Sequence, residues 1–179
     1  MKRLILLVAS WFFTGQIVAQ TSSHKLLFYH ISEQDGLADN SVNCFYQDSR
    51  GIMWMGTQYG LNSFDGSAIY TYRYEAENSP EGVFDNEIHA IAEDNKHELW
   101  LATTNGLWNF NPITKKIKFY RYKPTKGVFS NHMTGLVCDN GKVWISTQSG
   151  LLLFYPGQKI FTRFENTAHG LQNPGSDFS

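Results

Sequence analysis

The stretch Gln47-Asp48-Ser49-Arg50-Gly51-Ile52-Met53-Trp54-Met55-Gly56-Thr57-Gln58-Tyr59-Gly60-Leu61-Asn62-Ser63-Phe64-Asp65-Gly66 sets two short strand-forming runs between three turns. Residues 48–51 are a turn by composition, residues 52–57 an apolar run, and Gln58-Tyr59-Gly60 turns the chain again. Residues 61–64 follow, closed by Asp65-Gly66. Outward from this centre lie one more strand on each side. Residues 42–47 are apolar and β-prone, and residues 69–74 (Ile-Tyr-Thr-Tyr-Arg-Tyr) carry the aromatic and β-branched side chains that pack on a pleated surface. Four strands therefore follow one another through short turns.

The unit recurs. Trp54, Trp100 and Trp144 stand 46 and 44 residues apart, and Gly60, Gly106 and Gly150 repeat the same spacings. Asp48, Asp94 and Asp139 form another column, as do Asn40, Asn86 and Asn131, and Thr57, Thr103 and Thr147. Four strands in about 45 residues, repeated, is the pattern of a propeller blade. The reading is all-β: a partial β-propeller of about 3.5 four-stranded antiparallel blades. No 3.6-residue apolar stripe follows the N-terminal segment, which excludes a helical domain. Blade cores are expected at residues 42–74, 88–122 and 133–164, within a repeat region spanning 20–173. Residues 27–31 are expected as the outer strand of a closing blade, and a fourth unit is expected to start with Phe161-Thr162-Arg163-Phe164 and His169-Gly170-Leu171, with Asn173 in phase with Asn40, before a truncated tail at 174–179. Stacked blades bury both faces of their middle strands, so the repeated tryptophans are expected as wedges between blades, with sugar stacking as the alternative. Small residues at Cys44, Ala90 and Gly135 fit the crowded inner strand. A second small column, Gly56, Ala102 and Ser146, leaves room for a neighbouring ring.

The ordered block Asp35-Gly36-Leu37, Asn40-Ser41-Val42, Gln47-Asp48-Ser49-Arg50-Gly51, Trp54-Met55-Gly56-Thr57 and Gly60-Leu61-Asn62-Ser63-Phe64-Asp65-Gly66 resembles the two-component regulator propeller repeat. The second unit departs from it at Asn95-Lys96-His97-Glu98, and the third has Ser146 where the motif has glycine. The resemblance implies the exported sensor region of a hybrid histidine kinase, with two seven-bladed propellers, a small β-sandwich, a membrane span and cytoplasmic signalling domains. It also implies a response to oligosaccharides and no catalysis in this chain. On that reading the chain is an N-terminal fragment, and the remainder of the ectodomain, or a second chain, completes the ring. The parent protein would be anchored in the inner membrane. The competing class is a secreted propeller enzyme, such as a polysaccharide or streptogramin lyase, for which His89 is the inner-strand base candidate.

At the N-terminus Lys2 and Arg3 precede ten uncharged residues, 4–13, and small Ala19 precedes Gln20. This is the organisation of a secretory signal peptide over residues 1–19, and the run is short of the ~20 apolar residues of a membrane span. The protein is expected to be exported and periplasmic. Fifteen Lys and Arg against 16 Asp and Glu give a net charge of −1, which supplies no basic footprint for nucleic acid. Two cysteines cannot make a disulfide framework.

Strands alternate in direction within a blade. The start of strand one, the turn between strands two and three, and the end of strand four therefore share one face. Ligand-binding candidates are the turn residues there that differ between repeats: Tyr59, Asn105 and Ser149, with Gln58 and Gln148. The repeated Trp, Gly and Asp columns are read as structural, each Asp capping amides of its own turn. Arg73, Arg121 and Arg163 are read as one outer-strand column of rim charges. No catalytic residue, metal site or cofactor is expected: the histidines lack metal-ligand spacing, and neither a nucleophile elbow nor a phosphate loop is present.

Overall fold

The structure, a computed structural model, describes residues 27–74, 86–124, 129–167 and 170–172. The chain divides into two units, Met1–His30 and Ile31–Ser179. The expected leader at 1–19, the tail at 174–179, His169 and Asn173 lie outside the described residues. In the second unit, thirteen strands form three antiparallel sheets. The first blade is β1 (Val42–Gln47), β2 (Met53–Thr57), β3 (Gly60–Phe64) and β4 (Ile69–Tyr72), paired in that order. The second is β5 (Ile88–Glu93), β6 (Leu99–Thr103), β7 (Leu107–Phe110) and β8 (Ile117–Tyr120). The third comprises β9 (Met133–Asp139), β10 (Lys142–Thr147), β11 (Gly150–Tyr155) and β12 (Ile160–Thr167), with β13 (Gly170–Gln172) added outside β12. The inner strands β1, β5 and β9 are neighbours in space, so the sheets stack as propeller blades. The helical content of the described residues is one 3-10 turn, Glu33–Asp35.

Two cores lie between the blades. Trp54 packs its edge on Phe110 of the next blade, with centroids 5.5 Å apart, while Tyr72 of its own outer strand sits 5.9 Å from Trp54 and 4.9 Å from Phe110. Trp100, Tyr120 and Phe154 repeat that triangle at 5.9, 5.6 and 4.8 Å. The tryptophans are wedges, and Trp54 and Trp100 are buried to 1% and 2% exposure, so neither offers an indole face to a sugar. Trp144 packs on Phe164 of its own blade, 5.3 Å away, and is only half-buried, because no described blade follows it. Phe45 and Val137 mark the two open ends of the stack at 66% and 61% exposure.

The turns are held by their repeated polar residues. Asp48 Oδ1 accepts from the Arg50 and Ile52 amides, and its Oδ2 accepts from Trp54 Nε1 at 2.9 Å. Asp94 does the same with Lys96, Glu98 and Trp100. Asp139 differs. Its turn is a residue shorter, closed by Asn140 and Gly141 at positive φ, and its carboxylate accepts from the Asn140 side chain. In all three units the repeated threonine donates to the carbonyl of the repeated glycine, at 2.8–2.9 Å, and accepts an amide from the turn. Gly60 and Gly106 sit at φ 140° and 156°, and a Cβ there would meet the Tyr72 or Tyr120 carbonyl within 2.7 Å. Only glycine suits both demands.

Four features depart from the sequence reading. The space left by Gly56 is taken by Ile88 and Cys44, not by an aromatic ring: a Cβ at Gly56 would lie 2.6 Å from both Ile88 Cγ2 and Cys44 Sγ. Arg163 does not share a column with Arg73 and Arg121. It pairs opposite Leu152, while Tyr72, Tyr120 and Phe164 occupy the equivalent positions opposite Leu61, Leu107 and Leu151. The outer hairpin of the first blade is two residues shorter than those of the others, which misaligns a comparison by spacing alone. Residues 27–31 form no strand. Gly170–Gln172, expected as part of the opening of a fourth unit, pairs antiparallel with β12 as a fifth strand of the third sheet, with Thr167 opposite Gly170.

Candidate functional site

The starts of the inner strands and the turns between second and third strands share one end of the blade stack. The three expected turns are here, in equivalent positions. Tyr59 is 54% exposed, and its carbonyl accepts from Arg73 Nε at 2.9 Å. Gln58 and Gln148 are exposed, and the Gln148 amide donates to the His132 carbonyl. Asn105 is half-buried, and Ser149 Oγ accepts from the Ser130 amide at 2.9 Å. The second and third turns are tied to the segments that lead into the inner strands, the Thr104 amide donating to the Glu87 carbonyl at 3.4 Å and residues 148–149 bonding residues 130 and 132. Asn86 and Asn131 tie those segments in turn to the preceding blade, each accepting from the amide of Tyr74 or Tyr122 at 2.9 Å.

Every inner strand has a register irregularity near its start: between Val42 and Cys44, between Ile88 and Ala90, and in the third blade opposite Ser146 and Thr147. A bulge of this kind re-aims the residues around it and is common beside functional sites. Asn43, His89 and Thr134 sit at the irregular position. Asn43 Nδ2 donates across the blade boundary to the Ile88 carbonyl at 3.1 Å.

His89 is where chemistry gathers. Its Nε2 lies 3.0 Å from Thr104 Oγ1, and Thr104 Oγ1 donates to Glu87 Oε2 at 3.1 Å. A threonine hydroxyl has one proton, and an ionised carboxylate can only accept. Thr104 spends its proton on Glu87, so His89 Nε2 must be the donor of the other bond; this tautomer is assigned from the network. The ring of His132, from the lead-in to the third blade, stacks on His89 with centroids 4.6 Å apart and 25° between planes. The cluster combines donors, acceptors and a flat π surface between two blades.

His89 is the base candidate of the sequence, and the sequence spacing does not pair it with His132. His132 precedes its strand by one residue, while His89 is the second residue of its own, so the two fall in different repeat columns. Only blade stacking with the bulge brings them together. Among the described residues no group of three or more His, Cys, Asp or Glu side chains is arranged to hold a metal ion. Cys44 and Cys138 are free thiols in different blades. Burial pushes them up to about 11 and about 12, so neither is a nucleophile at neutral pH.

Residues 36–59 and 82–105 match the family model described as the two component regulator propeller. A 63-residue segment is 36% identical to histidine kinase P4 of Formosa agariphila, covering 35% of this chain and 5% of that protein. Among solved structures, one described as the extracellular domain of a hybrid two component system from B. thetaiotaomicron superposes with a TM-score of 0.66 at 26% identity, over 78% of this chain and 20% of that one. A second such domain from the same organism gives 0.61 at 25% identity, over 75% and 19%. Virginiamycin B lyase from Staphylococcus aureus, 14% identical with a TM-score of 0.51 over 89% of this chain and 62% of its own, shares the fold. The chain spans a twentieth of the curated relative and about a fifth of the sensor domains it matches.

Proposed function

We propose, from the two stretches that match the two component regulator propeller model, that this chain belongs to the ligand-sensing ectodomain of a hybrid histidine kinase, and that its ligand is an oligosaccharide. The blade end carrying Gln58, Tyr59, Asn105, Gln148 and Ser149 is the ligand-facing end, with His89 and His132 beside the propeller axis. The parent protein is exported, anchored in the inner membrane, and closes the ring with its remaining blades. This chain supplies recognition and no catalysis.

The observation that carries this reading is the Glu87–Thr104–His89 hydrogen-bond chain stacked against His132 at the bulged strand start. Glu87, Thr104 and His132 lie on loops held by a rigid scaffold, where binding residues concentrate, and His89 at the start of β5. A flat imidazole pair flanked by carboxylate, hydroxyl and amide groups suits a polyhydroxylated ligand, whose rings present both C–H faces and hydroxyls.

The test uses the full-length protein in membrane vesicles, incubated with a panel of oligosaccharides. Autophosphorylation should respond to one sugar class, while chromatography shows that sugar unchanged in length. His89→Ala and Tyr59→Ala should weaken the response and leave basal phosphorylation intact. Shortening of the sugar, lost with His89→Ala, would instead establish the propeller-enzyme reading.

A further inference from the structure

At the other end of the blades, between the outer strands of the first and second, a cleft of about 310 Å³ opens to solvent. That volume is at the lower end of small-molecule sites. Its floor is apolar, made by Ile52, Trp54 and Pro112. One wall is Tyr70, 54% exposed although it lies on a strand, and the opposite wall is Lys115 on the β7–β8 loop. Lys115 Nζ donates to Tyr72 Oη at 3.1 Å and lies 5.0 Å from the centre of the same ring. Asp65 closes the rim.

The polar groups are held ready. Asp65 Oδ1 accepts from the Ser67 amide and hydroxyl and from the Ala68 amide, all within 2.9 Å. Those bonds, the backbone ones foremost, hold its carboxyl at about 2, so it is ionised throughout the physiological range. Among the described residues its Oδ2 accepts nothing. Arg50, also on the lining, spends Nε and Nη2 on Asp48. Arg50 is thus held by Asp48, which leaves Lys115 and Asp65 as the two opposite charges on the lining.

The next blade boundary is an internal control. There the residues equivalent to Ile52, Asp65 and Tyr70 are Glu98, Asn111 and Lys118, while Pro156 and Lys159 match Pro112 and Lys115. Asn111 Nδ2 donates to Glu98 Oε1 at 3.0 Å, drawing together the two positions that at the first boundary stand open as a carboxylate and an apolar side chain. Among the described residues no such bond joins Ile52 to Asp65, so at the first boundary the carboxylate, the apolar side chain and Tyr70 all remain available to line the cleft.

We propose that this cleft binds an uncharged pyranose unit, its C–H face stacked on Tyr70 and adjacent hydroxyls shared between Asp65 and Lys115. A hydroxyl donates to a carboxylate and accepts from an ammonium, so a vicinal pair meets both groups, whereas an anion gains one contact and meets a repulsion. Aromatic stacking beside an exposed carboxylate and an ammonium suits a sugar better than a flat apolar ligand, which would make no use of either polar group. The site is separate from the ligand-facing end and stands whether or not that end takes an oligosaccharide.

The experiment is saturation-transfer difference NMR on the full chain with the methyl pyranosides of glucose, galactose and mannose, and with glucuronate. A one-sugar site of this kind holds its ligand with a Kd of about 1 mM. At least one neutral glycoside should give signal concentrated on ring C–H protons, with glucuronate weaker. Tyr70→Ala should weaken binding about tenfold, the equivalent of losing one stacked aromatic contact. The double substitution Ile52→Glu with Asp65→Asn copies the closed pair of the next blade, so the fold has a template for it, and circular dichroism will report that it is intact. Binding should vanish in this variant. Signal that persists in it, or silence from all three neutral glycosides with the folded wild-type chain, would overturn the proposal.

Discussion

Replacing Asp48 with alanine removes a carboxylate that is buried and serves four partners: the Trp54 indole, the Arg50 guanidinium and the Arg50 and Ile52 amides. The decisive loss is at Trp54, 1% exposed, whose Nε1–H is left without an acceptor. An unsatisfied buried donor costs about 1–3 kcal/mol. The turn amides can turn to water and lose about 0.5–1 kcal/mol each, and the half-exposed Arg50 contributes little. The expected destabilisation is about 3 kcal/mol, a shift of about 1–2 M in the urea midpoint. Asp94→Ala should fall just below this, since Trp100 has the same bond without an arginine beside it. Asp139→Ala, in the same repeat column, should stay within about 0.5 kcal/mol, because its carboxylate is exposed and, among the described residues, bonds only the adjacent Asn140 side chain. Urea unfolding followed by far-UV circular dichroism provides the comparison. In a Trp54→Phe background, which has no indole donor, the cost of Asp48→Ala should drop by about 1–2 kcal/mol. Equal costs at Asp48 and Asp139, or an unchanged cost in the Phe background, would show that the Asp48 carboxylate does not act through the buried indole.

Acid should loosen the first blade for a related reason. Burial raises the Asp48 carboxyl, but hydrogen bonds from Trp54, Arg50 and the turn amides outweigh it and hold it below its usual 3.8. Its stabilisation is complete above that value and is lost as pH falls through the lower folded one, with Asp65 following towards about 2. Urea midpoints should therefore be flat from pH 7 to 5 and decline below about 4. Gly56→Ala should cost about 1–3 kcal/mol by overpacking against Ile88 and Cys44, read as a lower thermal midpoint. Trp100→Ala should cost about 3–5 kcal/mol, and Trp144→Ala clearly less, because Trp144 is half-buried. Cys44 and Cys138 should resist alkylation at pH 8 in the native protein and react promptly in urea, measured by mass spectrometry of labelled peptides.

The blades were legible because their defining residues are local. An Asp caps its own turn, a Thr bonds a carbonyl three residues on, and a Gly adopts a backbone that other residues avoid. Each constraint leaves a column at fixed spacing, and three copies make the columns plain. The tryptophan wedge was legible for the same reason, although its partner Phe110 lies in the next blade. What the sequence hid depends on how blades meet. The filling of Gly56 by Ile88 and the stacking of His89 on His132 are contacts between units, made by residues with no common column. Arg163 was misaligned because hairpin length varies between units, and only strand pairing fixes register. The cleft beside Tyr70 shows as an absence, the lack of the Glu98–Asn111 bond that closes the next boundary. Such a difference is read only once the equivalent positions are in three dimensions.

The account rests most heavily on where the ligand sits. Hydrogen exchange of the complete ectodomain, with and without the oligosaccharide that stimulates phosphorylation, addresses this directly. The account predicts slowed exchange in the turns at 58–59, 104–105 and 148–149 and in the lead-ins at 86–89 and 130–132, with the sugar recovered intact. Protection confined to other parts of the ectodomain, with these segments unchanged, would contradict it.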